Sequence, residues 1–232
     1  MNYKAFAAGS GLARWYHPGM KKIVVLISGR GSNMLALARA SMAAGWPGHI
    51  AAVIADREGA KGCEAARSMG LPVDTVAAPS FPDKPAFFRA LGSRIDAHCP
   101  DLVVLAGFMR ILPPELVERL SGRLINIHPS LLPAFAGLHT HRRVLESGTR
   151  VHGATVHYVT AELDAGPIIV QAAVPVLAGD DESALAARVL RAEHQILPLA
   201  VRWHLEGRLT VAAGRVALGS PQSGETQWIW AP

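Results

Sequence analysis

The feature that most constrains the fold of this chain is a repeated alternation of short apolar runs with amphipathic segments. The first run, IVVLIS at Ile23–Ser28, is nearly continuous and rich in β-branched residues, which is typical of a parallel strand covered on both faces. Similar runs recur at 50–55, 71–76, 102–106 and 124–128. Segments with helical patterning separate them, at 34–44, 60–69, 84–98 and 113–120. Strands that alternate with helices build right-handed βαβ units, so the sequence predicts an α/β fold with a mostly parallel sheet.

The pattern changes after residue 150. Val151–Val159 and Pro167–Val176 read as two strands joined by the turn TAELDAG, which predicts an antiparallel hairpin added to the parallel sheet. A long amphipathic helix is expected over Asp181–Glu206, with Asp180 or Asp181 as its N-cap. A small terminal hairpin is predicted over 209–218.

Composition sets the domain organisation and excludes several classes of protein. Half of the 232 residues are hydrophobic and 18% are charged, which argues against disorder. No apolar run approaches the roughly 18 residues needed to span a bilayer, so no membrane association is expected. Three ranges are predicted: a non-functional N-terminal extension at 1–19, a single domain at 20–218 and a loose, Gly/Ser/Pro-rich tail at 219–232.

Charge and cysteine content indicate the compartment and the kind of ligand. Cys63 and Cys99 are the two cysteines and form no CxxC motif, so reduced thiols in a cytoplasmic protein are expected. A formal net charge of +5 favours anionic ligands. The basic residues are scattered without a Lys/Arg block, so no nucleic-acid binding is expected.

The stretch LINIHPSLLP at 124–133 carries the strongest chemical signal. Its apolar residues predict the end of a buried strand, and strand alternation places Asn126 and His128 on the same side. An amide N–H can stabilise an oxyanion and an imidazole can move a proton near neutral pH, so this pair suits acyl transfer. The alternative is structural: Asn126 caps the turn and His128 is an ordinary histidine beside a proline.

A second signal is SGRGSN at 28–33, which joins the first strand to a helix. Backbone N–H groups at such a junction favour a phosphate, and Ser32 and Asn33 add side-chain donors, although a plain tight turn is the alternative. The segment is not a complete dinucleotide fingerprint, because Met34 occupies the third glycine position of GxGxxG. Asp56 ends the next strand, where a ribose-binding acid would lie, which keeps a nicotinamide-dependent oxidoreductase as a rival.

Three further positions have both a structural and a functional reading. Apolar residues in the loop 107–112 either pack in the core or form the wall of a flat ligand's pocket. Asp164 either shapes its turn or orients an imidazole. His139 and His141 are two residues apart on a helix, so they do not share a face and are not expected to bind a metal.

Seven ordered segments between about Met20 and Leu218 closely resemble the phosphoribosylglycinamide formyltransferases, which are folate-dependent enzymes of purine synthesis. They are ISGRGSN, LAGFMRIL, NIHPSLLP, GLHTH, HGATVHYV, ELDAGPIIVQ and AEHQILPL. The resemblance implies a Rossmann-like formyltransferase fold. It also implies transfer of a formyl group from 10-formyltetrahydrofolate to the amine of glycinamide ribonucleotide without a metal, in a monomer or homodimer.

The resemblance also assigns roles to residues of this chain. A catalytic trio falls on Asn126, His128 and Asp164. The other implied positions are Gly31, Ser32, Asn33 and Glu193 for the ribonucleotide, Lys84, Met109, Arg110, Ile111, Leu112 and the shared Asn126 for folate, and His157 as a further histidine lining the site. The implied mechanism is a tetrahedral intermediate stabilised by Asn126 and His128, with Asp164 keeping His128 protonated.

The chain departs from the family pattern at two of these places. Some members carry Arg where this chain has Lys84, so a bidentate contact to the folate glutamate becomes a point-charge contact. The turn reads LDAG where a second glycine is common. The alternatives left open are another formyltransferase or hydrolase that uses 10-formyltetrahydrofolate, and a non-catalytic folate- or nucleotide-binding protein.

Overall fold

The computed structural model of the protein describes residues 20–43 and 45–231 and shows the predicted α/β architecture. The predicted N-terminal extension at 1–19 lies outside the described residues. The helices are α1 Ser32–Ser41, α2 Lys61–Ser68, α3 Lys84–Ala97, α4 Pro114–Arg119, α5 Thr140–Ser147 and α6 Glu182–Leu205. The strands are β1 Lys21–Ile27, β2 Gly48–Ala55, β3 Val73–Thr75, β4 Leu102–Leu105, β5 Leu124–His128, β6 Val151–Tyr158, β7 Ile168–Pro175, β8 Leu209–Ala212, β9 Arg215–Leu218 and β10 Trp228–Trp230.

Eight strands form one sheet in the order β10-β7-β6-β5-β4-β1-β2-β3. Strands β1 to β5 pair in parallel, and β6 and β7 add the predicted antiparallel hairpin next to β5. The chain order reverses between β1 and β4, which is the topological switch point where open α/β sheets bind ligands. The fold therefore predicts a site at the carboxyl ends of β1, β4 and β5.

Strand β1 shows why its sequence is apolar throughout. Ile23, Val25 and Ile27 face a core shared with α1, α2, α5 and α6, whereas Val24 and Leu26 face a second core under α3 and α4. All five side chains are fully buried. Because both faces of the sheet are covered, neither face of this strand tolerates the polar alternation of a solvent-exposed strand.

Helix α6 closes the first core, close to its predicted bounds. The side chain of Asp181 accepts a hydrogen bond of 2.7 Å from the backbone N–H of Ala184, which confirms the expected N-cap. Trp203 near its other end is fully buried. Of the helices in the described part of the chain, none is both long enough and apolar enough to cross a membrane.

The prediction of a loose tail from residue 219 onward is wrong for the part that forms β10. Trp228–Trp230 pairs in parallel with the outer edge of β7. Glu225, just before it, accepts hydrogen bonds from Trp203 Nε1 (3.1 Å) and from both terminal nitrogens of Arg208. The Gly/Ser/Pro-rich composition describes the local turns, whereas these long-range contacts order the segment.

Helix α1 begins two residues earlier than predicted, at Ser32 instead of Met34. Gly31 precedes it with φ +73°, and an added Cβ there would lie 2.8 Å from Gly62 Cα. Glycine therefore allows the chain to turn from β1 directly into the helix while it packs against the start of α2. As a result, Ser32 and Asn33 occupy the first turn of α1.

Candidate active site

The structure brings together the three residues of the predicted catalytic trio at the carboxyl end of β5. Asn126 and His128 lie on this strand, and Asp164 approaches from the turn between β6 and β7. The Nδ1 atom of His128 lies 3.5 Å from Oδ2 of Asp164, and both side chains are less than one-tenth exposed. An imidazole and a carboxylate thus face each other in a largely desolvated pocket.

The other ring nitrogen of His128 has a backbone partner. Nε2 donates to the carbonyl oxygen of Phe135 at 3.2 Å. Phe135 lies in the loop after β5 with φ +55°, a left-handed conformation that is uncommon for a bulky residue. Because both ring nitrogens face acceptor oxygens, the arrangement fits an imidazolium, which donates from both.

Asp164 is held in place by its turn. Its own φ is +52°, a conformation that Asp tolerates better than most residues, and its Oδ2 accepts a hydrogen bond of 2.9 Å from Gly137 N–H. Gly166 allows the hairpin to close behind it, since an added Cβ would lie 1.8 Å from the Tyr158 carbonyl oxygen. The glycine that this turn requires is therefore the one that LDAG retains.

His157 orients Asn126 from the neighbouring strand. Its Nδ1 donates to the Tyr158 carbonyl at 2.9 Å, which leaves Nε2 to accept from Asn126 Nδ2 at 3.2 Å. Burial lowers the pKa of His157, which is consistent with a neutral ring acting as acceptor. Asp164 Oδ1 lies 4.0 Å from the same Nε2. The Asn126 amide is thereby fixed with its second N–H and its oxygen available.

The SGRGSN segment lines a cavity of about 300 Å³ at the switch point between β1 and β4. Gly31 caps α1 without a side-chain hydrogen bond, and no acidic residue lies in the first turn. The N–H groups of that turn are thus open to an anion. The side chains of Arg30 and Arg57 also line this cavity, which makes its rim cationic.

Glu193 lies behind the same loop, on α6. Its Oε2 accepts a hydrogen bond of 2.5 Å from Asn33 Nδ2, and the residue is 7% exposed. Burial raises the pKa of Glu193 to about 7, although the Asn33 hydrogen bond opposes this shift. Asn33 Oδ1 is buried without a hydrogen-bond partner. The pair therefore presents an unused acceptor next to a carboxyl group that can change protonation near neutral pH.

Four of the six residues assigned to folate border two cavities. Lys84, Ile111 and Leu112 line a larger one of about 680 Å³, between the start of α3 and the loop before α4. Met109 lines the cavity of the SGRGSN segment instead. Met109 and Ile111 are 64% and 73% exposed, so the core-packing alternative is wrong for these two, whereas it describes Leu112, which is 7% exposed.

Arg110 supports this loop through a buried partner. Its Nε donates to Oδ2 of Asp56 at 2.5 Å, and its guanidinium carbon lies 5.1 Å from the centre of the Phe87 ring. Asp56 is fully buried and also lies 3.5 Å from Nε of Arg57. A carboxylate engaged in this way is not free to bind a ribose, which weakens the nicotinamide rival.

The histidines of the GLHTH segment take separate places. His139 is exposed at the start of α5, whereas Nδ1 of His141 lies 3.2 Å from Nε2 of His152. Burial lowers the pKa of His141, and burial together with its histidine neighbours lowers that of His152 to about 4. Within the described residues, no group of three or more His, Cys, Asp or Glu side chains is placed to hold a metal ion.

Comparison with known proteins identifies the family of the chain. The formyl transferase family model matches residues 21–201, which is most of the chain. The chain belongs to the formyl transferase family. The phosphoribosylglycinamide formyltransferase of Escherichia coli K12 is 51% identical over 187 residues, which cover 81% of this chain and 88% of that relative. The resemblance predicted from the sequence motifs is thereby confirmed, and with it the prediction of an enzyme.

Solved formyl transferase structures match most of the chain. Glycinamide ribonucleotide transformylase 1 from Symbiobacterium toebii superposes with a TM-score of 0.85 at 45% identity, covering 89% of this chain and 97% of that one. A formyltetrahydrofolate deformylase from Pseudomonas syringae gives a TM-score of 0.81 at 31% identity, covering 88% of this chain and 67% of that one. The Rossmann-like formyltransferase fold is thus confirmed.

Sequence reasoning missed three residues of this formyl transferase site. The Phe135 carbonyl and the Gly137 N–H act through the backbone, so residue type carries no signal for them. Arg57 was identifiable, since it directly follows the second strand at the ligand-binding edge of the sheet.

Proposed function

We propose that this formyl transferase moves the formyl group of 10-formyltetrahydrofolate to the amine of glycinamide ribonucleotide. The observation that carries the proposal is the placement of His128 between Asp164 and the Phe135 carbonyl, beside an oriented Asn126. Asn126 and His128 lie on β5, next to β4, and the cavity lined by the SGRGSN segment opens at the ends of β4 and β1. With strands about 4.8 Å apart, the ends of β1 and β5 are about 10 Å apart, so one substrate can reach both.

The ribonucleotide is the substrate that fits the cationic cavity. Its phosphate would accept from the N–H groups of the first turn of α1, with Ser32 and Arg57 at the rim. The unpartnered Asn33 Oδ1 and the Glu193 carboxyl group would take hydrogen bonds from donor groups of the same ligand. Relatives whose names specify phosphoribosylglycinamide support this choice.

Folate fits the other side of the loop 107–112. Met109 and Ile111 offer exposed apolar surface for a flat ring system, and the larger cavity places Lys84 near Ile111 and Leu112. Lys84 would then supply the point-charge contact for a carboxylate of the folate. Arg110 would act by holding the loop through Asp56, with its backbone facing the ligand.

The chemical step needs proton transfer and stabilisation of an oxyanion. The uncharged substrate amine attacks the formyl carbon, a new C–N bond forms and the carbonyl oxygen becomes an oxyanion. The free N–H of Asn126 and the Nδ1–H of His128 would stabilise that oxyanion. As the bond from the formyl carbon to the folate nitrogen breaks, the proton lost by the attacking amine reaches that nitrogen with the help of His128.

Asp164 would keep His128 protonated and oriented. The 3.5 Å between Nδ1 and Oδ2 is longer than a tight ion pair, so the Nδ1–H can be shared with an oxyanion that forms beside it. Each positioned donor is expected to contribute about 3–4 kcal/mol to transition-state stabilisation, by analogy with single oxyanion-hole donors. Alignment of two bound substrates would add several kcal/mol, up to roughly 7–11 in well-oriented systems.

The strongest alternative is hydrolysis of the same formyl donor, as the similarity to a formyltetrahydrofolate deformylase suggests. The cationic cavity at α1 favours a transferase, because water as acceptor needs no phosphate site. An absorbance assay of 10-formyltetrahydrofolate deformylation decides between them. We expect loss of the formyl group only when glycinamide ribonucleotide is present, and deformylation at the same rate without it would show a hydrolase.

A further inference from the structure

A buried hydrogen-bond network lies beneath the loop that carries the Phe135 carbonyl. Gln171 on β7 lies directly opposite Thr155 on β6. Its side-chain Nε2 donates to the Leu132 carbonyl at 2.9 Å and to Thr155 Oγ1 at 3.0 Å. Leu132 belongs to the stretch 129–135 that connects His128 to Phe135, so a side chain two strands away from β5 contacts the loop of the catalytic histidine.

Thr155 joins that contact to the start of the loop. Its hydroxyl donates to the Ser130 carbonyl at 2.7 Å and accepts from Leu132 N–H at 3.1 Å. Ser130 Oγ in turn donates to the Ala134 carbonyl at 2.7 Å, one residue before Phe135. Ser130 and Thr155 are fully buried, so these bonds do not exchange with water and each loss leaves a polar group unsatisfied.

We propose that Gln171 is a positioning residue for the reaction, because its amide fixes the loop in which the Phe135 carbonyl accepts from His128 Nε2. The inference rests on the proposed catalytic role of His128. Phe135 keeps its left-handed φ of +55° because the surrounding bonds hold the loop. Without the Gln171 amide, the Leu132 carbonyl loses its hydrogen-bond donor. The loop then relaxes, and the His128 ring loses its fixed orientation.

The C-terminal strand keeps Gln171 in register. The backbone N–H of Gln171 donates to the Gln227 carbonyl at 3.0 Å, and Trp228 of β10 pairs with Gln171. Gln171 therefore hydrogen-bonds to the segment of β10 through its backbone and to the stretch 129–135 through its side chain.

Gln227 provides a matched control on the same edge of the sheet. It is half-buried like Gln171, and its Nε2 also donates two hydrogen bonds, to the carbonyl oxygens of Ile169 at 3.0 Å and Val216 at 3.2 Å. Neither acceptor belongs to the stretch 129–135. Gln171→Met and Gln227→Met each remove two such bonds with a side chain of similar length, so their difference isolates the contact with the loop.

The test measures kcat, both KM values and the solvent exchange rate of the His128 Nε2 proton by NMR of protein labelled with 15N-histidine. For Gln171→Met we expect kcat to fall about tenfold, KM values within twofold of the original and faster proton exchange. For Gln227→Met we expect only a lower Tm. Equal kcat and equal proton exchange in the two variants would overturn the proposal.

Two further arms keep the test decisive. If Gln171→Met does not fold, Thr155→Val removes the hydroxyl that links Gln171 to Ser130, and the same loss of kcat with faster exchange is expected. Proton exchange requires no turnover, so it is read independently of the proposed function. Faster exchange in Gln171→Met, together with full turnover of His128→Ala, would overturn the catalytic role of His128 while supporting the contact between Gln171 and the loop.

Discussion

At the scale of single residues, the two nitrogens of His128 determine what the site can do. Nε2 is anchored on a backbone carbonyl and Nδ1 faces the Asp164 carboxylate. A ring held at one nitrogen presents the other in a fixed direction, which a proton donor requires. His157 orients Asn126 in a similar way. Its Nε2 lone pair accepts one N–H of the Asn126 amide, which fixes the direction of the second N–H and of the amide oxygen.

Asp164→Asn tests whether the carboxylate acts on His128 or only shapes its turn. The amide oxygen can still accept from Gly137 N–H, so the turn should be retained, but the negative charge that faces His128 Nδ1 is lost. We expect kcat and kcat/KM to fall together by about 10²-fold or more, with KM values nearly unchanged.

Asp74→Asn is the matched control for that variant. Oδ2 of Asp74 lies 2.7 Å from Nε2 of His98, so this substitution also changes a carboxylate that contacts a histidine, but one on the edge strand β3, away from β5. Its kcat should equal that of the original protein. A normal kcat in Asp164→Asn as well would refute the catalytic role of Asp164.

Glu193→Gln should change how stability depends on pH. The folded-state pKa of Glu193 is raised by burial from 4.5 to about 7, so ionisation costs stability as pH rises between these two values. Glutamine removes this loss. The free energy of unfolding of the variant should match the original near pH 4.5 and exceed it at pH 8 by at most about 3 kcal/mol.

Urea denaturation at the two pH values measures this difference. Glu182→Gln, an exposed position at the start of the same helix, serves as the control and should follow the original protein at both. If Glu193→Gln gains no stability at pH 8 relative to pH 4.5, the buried carboxyl group does not ionise in the way described.

At the scale of elements, the junction of β1 and α1 presents backbone N–H groups of the kind that an anion would accept. Gly31 turns the chain, and the uncapped first turn of α1 faces the cavity between β1 and β4. The two glycines of the junction differ in what surrounds them. A Cβ on Gly29 meets nothing within 4 Å, whereas one on Gly31 meets the backbone of Gly62 and requires a strained φ.

Gly29→Ala therefore separates ligand exclusion from misfolding. We expect an unchanged Tm, a KM for the ribonucleotide raised about tenfold by the methyl group at the cavity wall, and an unchanged KM for folate. Gly31→Ala should instead lower Tm, because the new methyl group overlaps Gly62. Equal increases in both KM values for Gly29→Ala would contradict the assignment of this cavity to the phosphate.

The C-terminal segment makes a second prediction at this scale. Hydrogen bonds with Arg208 lower the pKa of Glu225 to about 2, below its ordinary 4.5, so the stability gained is present above pH 4.5 and lost as pH falls toward 2. Glu225→Gln should lower Tm at pH 7 by about 2–4 °C, as a loss of about 1 kcal/mol does in a chain of this size. Glu118→Gln, an exposed position on α4, should leave Tm unchanged.

The elements that the sequence predicted well are those whose signal is local. The apolar runs of β1 and β4, and the periodicity and N-cap of α6, reflect burial along one segment. β10 was missed because its stability comes from Glu225, which meets Arg208 and Trp203 only after folding. Strand alternation placed Asn126 and His128 on one side, and the resemblance named His157. The Phe135 carbonyl, which acts through the backbone, could not be found from residue type.

At the scale of the whole molecule, the loop 107–112 separates two cavities of different character. One is small and cationic at the switch point, and the other is larger, with apolar residues and Lys84 in its lining. Met109 borders the first and Ile111 the second, so two ligands of different chemistry would meet at this loop. Strand β5, which carries Asn126 and His128, lies next to β4, from which the loop emerges.

The central claim is that the formyl carbon passes from folate to the ribonucleotide amine at His128. The most direct measurement follows that carbon, with 13C-formyl folate and glycinamide ribonucleotide bound to excess enzyme and the products resolved by NMR. We expect all of the label to appear as a formamide on the ribonucleotide, and we expect His128→Ala to slow its appearance by at least 10²-fold. Label recovered as free formate, or transferred at the normal rate by His128→Ala, would contradict it.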